Sequence, residues 1–317
     1  MPIVFIQTSE LSACALGCYG EQRTATPSFD ALAAQSLVCN HFYATAWEIG
    51  QSSADQVIVI NLGIPELDRE SLQTAAESWL GEVADQCPGL EGSPPHPQPL
   101  SPEYRGEGSS EEQQFVEQLP VEFRHLIVAA ARAIALDDAL ASTLDEIELD
   151  PDSDVVIVAG VSGDAGRVPD ERPDWLAAVS EPVVHLPLLI HIVGQEQHVR
   201  IDELVGVDDL QRLIEMLKNE GPAAVEAWRD SLVHNELRLD SPLSKAVRTQ
   251  KWLLVEKKND PDEASAMREV RLFRKPEDVW EMLDVASQFP ELIDHYLETG
   301  ELPADVPFVQ HASTEEP

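Results

Sequence analysis

The chain has 317 residues, 43% of them hydrophobic, enough to build a sizeable core in one large α/β domain or two smaller ones. Acidic residues number 58 against 21 basic ones, a net charge of −37. Such a surface excludes nucleic acid, anionic lipid and other polyanions as partners.

In chain order, IVFIQ at 3–7 reads as a buried first strand. Residues 26–38, TPSFDALAAQSLV, read as a helix with Thr26 as N-cap and Pro27 at its first position. Phe29, Leu32, Ala33 and Leu37 fall on one face of that helix. VIVINL at 57–62 is a second strand, and 66–86 an amphipathic helix with Leu67, Leu72, Ala76 and Leu80 inward. Residues 88–113 are dense in Pro, Gly, Ser and Glu and lack apolar periodicity, so they read as a low-complexity, disordered insertion. A long helix over 121–147 buries Ile127, Ala130, Ala131, Ile134, Leu140 and Leu144. DVVIVAGVSGD at 154–164 is a buried strand running into a Gly-Ser turn, and VVHLPLLIHIV at 183–193 another strand. Helices are expected at 207–219 and 223–234, a strand at 246–256, a partner strand at 268–273 and a final helix over 276–300. This alternation argues for a largely parallel α/β sheet in residues 1–245 and a smaller α+β unit in 246–317.

MPIVFIQTSE lacks the basic start of a signal peptide. No run approaches the ~20 apolar residues of a membrane span, so the expected address is the cytoplasm. Cys14, Cys18, Cys39 and Cys87 form no disulfide framework. Cys14 and Cys18, at i, i+4 on an expected helix, could reach one metal, but no second ligand pair accompanies them. His185 and His191 share a strand face, with His198 beyond; a metal site would need a carboxylate partner and an open face, so they read as edge or core histidines. Trp175, Trp228, Trp252 and Trp280 read as core or inter-helix packing, and the acidic runs near 137–154 and 259–263 as solvated faces. Ser162 is a nucleophile candidate by position. The G-x-S-x-G pattern fails, however, because Gly163 is followed by Asp164. A phosphate-cradling loop would need more glycine and a basic residue. Arg167 is near, but the surrounding charge is negative.

Several segments together resemble the sulfatase family of the alkaline phosphatase superfamily. ALGCYG at 15–20, TPSFDALAAQSLV at 26–38 and FYATA at 42–46 follow the order of the family's N-terminal signature. Residues 129–149 look like the helix before its Asp-His-Gly loop, and VVHLPLLI at 183–190 like its Arg-Val-Pro-Leu-Ile strand. VDDLQRLIEML at 207–217, AVRTQKWLLV at 246–255 and LFRKPEDVWEMLDVA at 272–286 look like its later helix, strand and tail. The resemblance implies an alkaline-phosphatase-like (sulfatase-like) α/β sandwich with a mostly parallel central sheet and a small C-terminal α+β subdomain. It also implies a divalent cation on an Asp pair after the first strand and on Asp plus His or Asn in the later loop. The nucleophile would be a formylglycine made from Cys or Ser in C/S-x-P-S-R.

The matching positions depart from that chemistry. Ser9 and Glu10 stand where the Asp pair belongs, and Val161 and Ser162 where Asp and His belong. Ile49 stands at the nucleophile, Gln51 at the Pro, Ser52 at the Ser and Ser53 at the Arg. Of the four ligands only Glu10 keeps a carboxylate, one methylene too long, and hard cations want several oxygens. The expectation is therefore a degenerate site. It has no catalytic residue among Ser9, Glu10, Ile49, Ser52, Ser53, Val161 and Ser162, no cofactor, and Ca²⁺ or Mg²⁺ only if the site were functional after all. Three functions follow: an inactive homologue with a binding or assembly role and a protein partner of unspecified kind; a metal-assisted or rebuilt-site hydrolase of sulfate or phosphate esters; or a decaying paralogue with no retained role.

Overall fold

The computed structural model describes residues 3–47, 57–63, 67, 69–86, 119, 121–150, 154–168, 172–194, 198–258 and 268–303. The expectations for 88–113 and 259–263 lie outside these residues.

Six strands form the main sheet: β1 (Ile3–Thr8), β2 (Leu37–Phe42), β3 (Val57–Leu62), β4 (Val155–Gly160), β5 (Leu188–Ile192) and β6 (Val199–Val205). Their spatial order is β3-β1-β4-β5-β2-β6. β3, β1 and β4 run parallel, as do β2 and β6, whereas β5 is antiparallel to both neighbours. β1 and β4 are buried along their whole length because both sheet faces are covered. Ile3, Phe5, Val155 and Ile157 pack towards α6 (Val207–Glu220) and α7 (Ala224–Asp230), around Leu213 and Trp228. Val4, Ile6, Val156 and Val158 pack on the opposite face towards α1 (Pro27–Ala33) and α3 (Val121–Glu146), around Phe29 and Leu136. The α2 helix (Arg69–Gln86) lies on α3 through Leu72, Ala76, Ile127 and Ala130, with Leu67 and Leu80 at the margin.

A second, antiparallel sheet has the order β10-β9-β8-β7, from β7 (Glu236–Asp240), β8 (Ser244–Thr249), β9 (Trp252–Lys257) and β10 (Val270–Arg274). Helix α8 (Pro290–Thr299) covers one face with Leu292 and Tyr296. The other face meets the main body around Tyr43, Phe273 and the Trp175 and Leu176 of α4 (Asp174–Ala177).

Local chemistry moves several expected boundaries. The helix read over 26–38 ends at Ala33, and Leu37 and Cys39 lie in strand β2. There Ser36 Oγ donates back to Leu32 O at 2.6 Å, and the segment that follows pairs with β5 and β6. Thr26 precedes α1 but does not cap it; its hydroxyl accepts from Gly17 N at 2.9 Å. The cap comes from Asp137, whose carboxylate accepts from Ser28 N and Phe29 N at 3.1 and 2.8 Å. Asp137 is therefore buried, as is Asp154, which accepts from Asp150 N at 2.9 Å, whereas Asp138, Asp145, Glu146, Glu148 and Asp150 are exposed as a solvated face would be.

The segment 183–193 is not one strand. Its start belongs to α5 (Glu181–Val184), and β5 begins after Pro187. Residues 246–256 fold as two strands, because Thr249 Oγ1 accepts from Lys251 N and Trp252 N at 3.3 and 3.0 Å and turns the chain. The final helix is only α8. Residues before it are held in a turn by the Asp278 carboxylate, which accepts from Met282 N and Leu283 N at 2.8 and 2.9 Å. Trp280, expected to be packed, is exposed in that turn.

Candidate functional site

The loops after β1 and β4 meet at one end of the sheet, because the two strands pair in parallel with Thr8 opposite Gly160. This parallel crossover brings Ser9 and Glu10 beside Val161 and Ser162, four of the residues singled out in the sequence. Ile49, Ser52 and Ser53 lie outside the described residues.

The loops are sewn together by hydrogen bonds. Val161 N donates to Thr8 O at 2.8 Å, and Leu11 N to Ser162 O at 3.1 Å. The Ser162 hydroxyl accepts from Glu10 N at 3.0 Å. Ser162 thus serves as a brace between loops, and its hydroxyl oxygen is engaged by backbone. Trp47 closes the other side, donating its indole N–H to Gly160 O and its amide to Val161 O at 3.0 and 3.1 Å. Gly163 lies against α5 so closely that a Cβ there would overlap the carbonyl oxygens of Pro182 and Val183.

Glu10 adopts φ 53°, a left-handed conformation uncommon for a residue with a side chain. Its carboxylate ends 3.0 Å from Arg132 Nη1, which also lies 3.0 Å from Asp164 Oδ1. Asp164 additionally accepts from Gly166 N at 2.9 Å and begins the 3-10 turn Ala165–Arg167. Burial raises the Asp164 pKa, with Arg132, the Gly166 N–H and Arg167 pulling the other way. One guanidinium therefore stands between the two carboxylates that converge here.

A divalent ion does not fit this donor set. It would need the space and the negative charge that Arg132 already takes, and Val161 supplies no ligand atom. Among the described residues, no three His, Cys, Asp or Glu side chains gather into a group able to hold a metal ion.

Arg132 and Asp164 were not among the sequence candidates. The available signal was a single arginine inside AAARAIAL at 129–136, where Ala131 and Ala133 are buried. A cation in such a stripe needs an anion opposite it. Arg167 is buried as well. It donates to Cys14 O at 2.7 Å and lies 3.3 Å from Cys14 Sγ and 3.6 Å from Glu21, so it ties the segment 13–21 rather than facing an open cleft.

The other candidates do not converge. Cys14 and Cys18 sit in separate 3-10 turns, Ala13–Ala15 and Gly17–Tyr19, so the i, i+4 spacing gives them no common helical face. Burial pushes the Cys18 thiol up to about 12 and the Cys39 thiol higher still, the behaviour of packed cysteines and not of reactive ones. His191 and His198 each hydrogen-bond a backbone carbonyl, of Gln35 and Ala33. His185 lies outside β5, 2.8 Å from Asn40 O and 3.2 Å from Glu181.

No family model matches the chain, and no curated protein matches it significantly. Solved structures do match. A 2-O GAG sulfatase superposes with a TM-score of 0.57 at 11% identity, covering 94% of this chain and 90% of its own. A phosphonate monoester hydrolase of Agrobacterium radiobacter gives 0.54 at 11% identity, covering 94% of each chain. A protein from a glycosaminoglycan-metabolising locus of Bacteroides thetaiotaomicron gives 0.53 at 12% identity, covering 93% of this chain and 94% of its own. Likeness at this identity establishes the architecture and leaves the chemistry to the residues above.

Proposed function

We propose that this chain, which has the sulfatase-like fold of the alkaline phosphatase superfamily, is a catalytically inactive member of that fold retained for binding or assembly. The observation that carries the reading is Arg132, standing 3.0 Å from both Glu10 and Asp164. In a metal-dependent ester hydrolase, a multivalent cation there stabilises the charge that develops on the transferring group. A guanidinium committed to two carboxylates has little left to offer a substrate oxyanion. The substituted positions Ser9, Glu10, Val161 and Ser162 point the same way. Ser162 Oγ has no base among its described partners and accepts from a backbone amide.

Calorimetric titration with Mg²⁺ and Ca²⁺, together with a screen of aryl sulfate, phosphate and phosphonate esters, tests the reading. The expected outcome is no saturable binding and no turnover that Ser162→Ala or Glu10→Gln changes. Stoichiometric ion binding lost in Glu10→Gln, or turnover lost in either variant, would replace the reading with the rebuilt-site hydrolase.

A further inference from the structure

The main body and the C-terminal sheet meet over a stack of rings. His41, near the end of β2, pairs with Leu204 of β6, and Tyr43 follows two residues on. Leu204 and Tyr43 pack in one apolar cluster with Leu239, Ala246 and Phe273 of the C-terminal sheet. The His185 ring lies 4.9 Å from the Tyr43 ring, and the His41 ring lies 6.3 Å from each. Arg248 of β8 completes the stack from the other unit. Its guanidinium stands 5.0 Å from the Tyr43 ring centre, and its Nη2 donates to the Tyr43 hydroxyl at 3.1 Å.

The carboxylates of this junction are already engaged. Glu181 takes the Tyr43 hydroxyl at 2.7 Å, His185 Nδ1 at 3.2 Å and Lys275 Nζ at 3.0 Å. Glu281 pairs with Lys275 and Arg172. Asp202 of β6 accepts from Asn40 Nδ2 at 2.6 Å. His41 Nδ1 is buried with no hydrogen-bond partner among the described residues. A proton on His41 therefore adds a cation beside Arg248 and His185, with no carboxylate paired to it among the described residues. Burial, then His185 and Arg248, hold the ring's pKa at about 4, below its ordinary 6.5, against the weaker pull of Glu181 and Asp202.

We propose that His41 is an acid-sensitive latch: its neutral ring lets Arg248 seat the C-terminal sheet on the main body, and its protonation releases that sheet while the main sheet stays folded. Each unit carries a core of its own, which is what allows them to part. The main sheet is packed on both faces by its own helices. The C-terminal sheet is packed by α8 through Val247, Trp252, Leu292 and Tyr296. In the released form the His41 ring is free of Arg248 and of burial, so that form binds the proton at the higher pH. The seated form loses ground as pH falls from 6.5 and has lost all it will lose below about 4. One proton moves the opening equilibrium by at most tenfold per pH unit, about 300-fold over that window. The inference uses none of the residues at the β1–β4 end of the sheet and stands whether or not that end is catalytic.

The test reads the junction directly. Ala246→Cys places a thiol where the side chain is 1% exposed, between the two units, and Cys39, 0% exposed under the main sheet, is the internal control for global unfolding. The full chain is labelled with 2,2′-dithiodipyridine, which reacts with thiols in acid, and each site is followed by mass spectrometry against a free thiol at the same pH. Labelling at position 246 should accelerate as pH falls from 6.5 to 4 while Cys39 stays protected. Adding His41→Phe, which keeps a ring in the stack, should flatten that rise, with thermal melting at pH 7 verifying the fold. Arg248→Met, which removes the facing cation, should lessen it. Labelling at position 246 that ignores pH, a rise that survives His41→Phe, or exposure of Cys39 in step with position 246 would each overturn the latch.

Discussion

Arg132→Met is the most informative perturbation at the β1–β4 loops. The methionine keeps the aliphatic stem that packs on α3's neighbours and removes the guanidinium. The Arg132 side chain is 17% exposed, its partner Asp164 only 4% and Glu10 41%. Breaking a fully buried pair costs about 3–5 kcal/mol, whereas an exposed pair contributes about 0–1. The Asp164 half dominates, but its carboxylate keeps the Gly166 N–H at 2.9 Å, so a loss of about 2–3 kcal/mol is expected. Urea denaturation followed by tryptophan fluorescence would show it as a lower midpoint with an unchanged slope. Adding Asp164→Asn should recover much of the loss, because the asparagine oxygen still accepts from Gly166 N without carrying an unpaired charge. A variant as stable as the parent, or a loss that Asp164→Asn leaves untouched, would refute the idea that Arg132 neutralises this corner.

Ser162→Ala removes the acceptor for Glu10 N and should cost about 1 kcal/mol in denaturation, with no change in any ester hydrolysis. Gly163→Ala places a methyl group against the carbonyls of Pro182 and Val183. A loss of about 1–3 kcal/mol is expected from the overpacking, visible as a lower melting temperature. Burial, then the neighbouring His185 and Arg248, lower the His41 pKa from its ordinary 6.5 to about 4. Between those values the unfolded chain binds more protons than the folded one, so stability falls as pH drops through the window. His41→Phe should flatten that slope in pH-dependent melts; an unchanged slope would assign the acid sensitivity to other groups. Glu181, held well below the ordinary carboxylate range because His185, Lys275 and Arg248 outweigh its burial, adds a loss at lower pH that Glu181→Gln should remove.

What could be read from the residues alone was whatever local periodicity encodes. The β-branched runs at 3–8 and 155–160 named two buried strands, and the apolar stripe around Ile127 and Leu140 named the long helix. The order of the short motifs carried the sulfatase-like fold, which the structural neighbours share. Ser162 stood out by its place after a buried strand, and the resemblance to sulfatases brought Ser9, Glu10 and Val161 forward with it; pairing of β1 and β4 in parallel then sets their C-terminal loops side by side.

Tertiary structure decided the rest, because the deciding partners are far apart in the chain. TPSFDALAAQSLV stops being helical at Ala33 because Leu37–Phe42 gains neighbours in β5 and β6. AVRTQKWLLVE, turned at Thr249, is held as two strands between β7 and, beyond residue 268, β10. The stretch before α8 turns at Glu281 because Lys275 and Arg172 wait there for its carboxylate. Arg132 sits in an alanine-rich stripe with nothing in its own helix to mark its anions; only the packing of α3 across β1 and β4 brings Glu10 and Asp164 to it. Local propensity is a matter of tenths of a kcal/mol per residue, whereas leaving a buried charge unpaired costs several. At each of these positions the long-range partner wins.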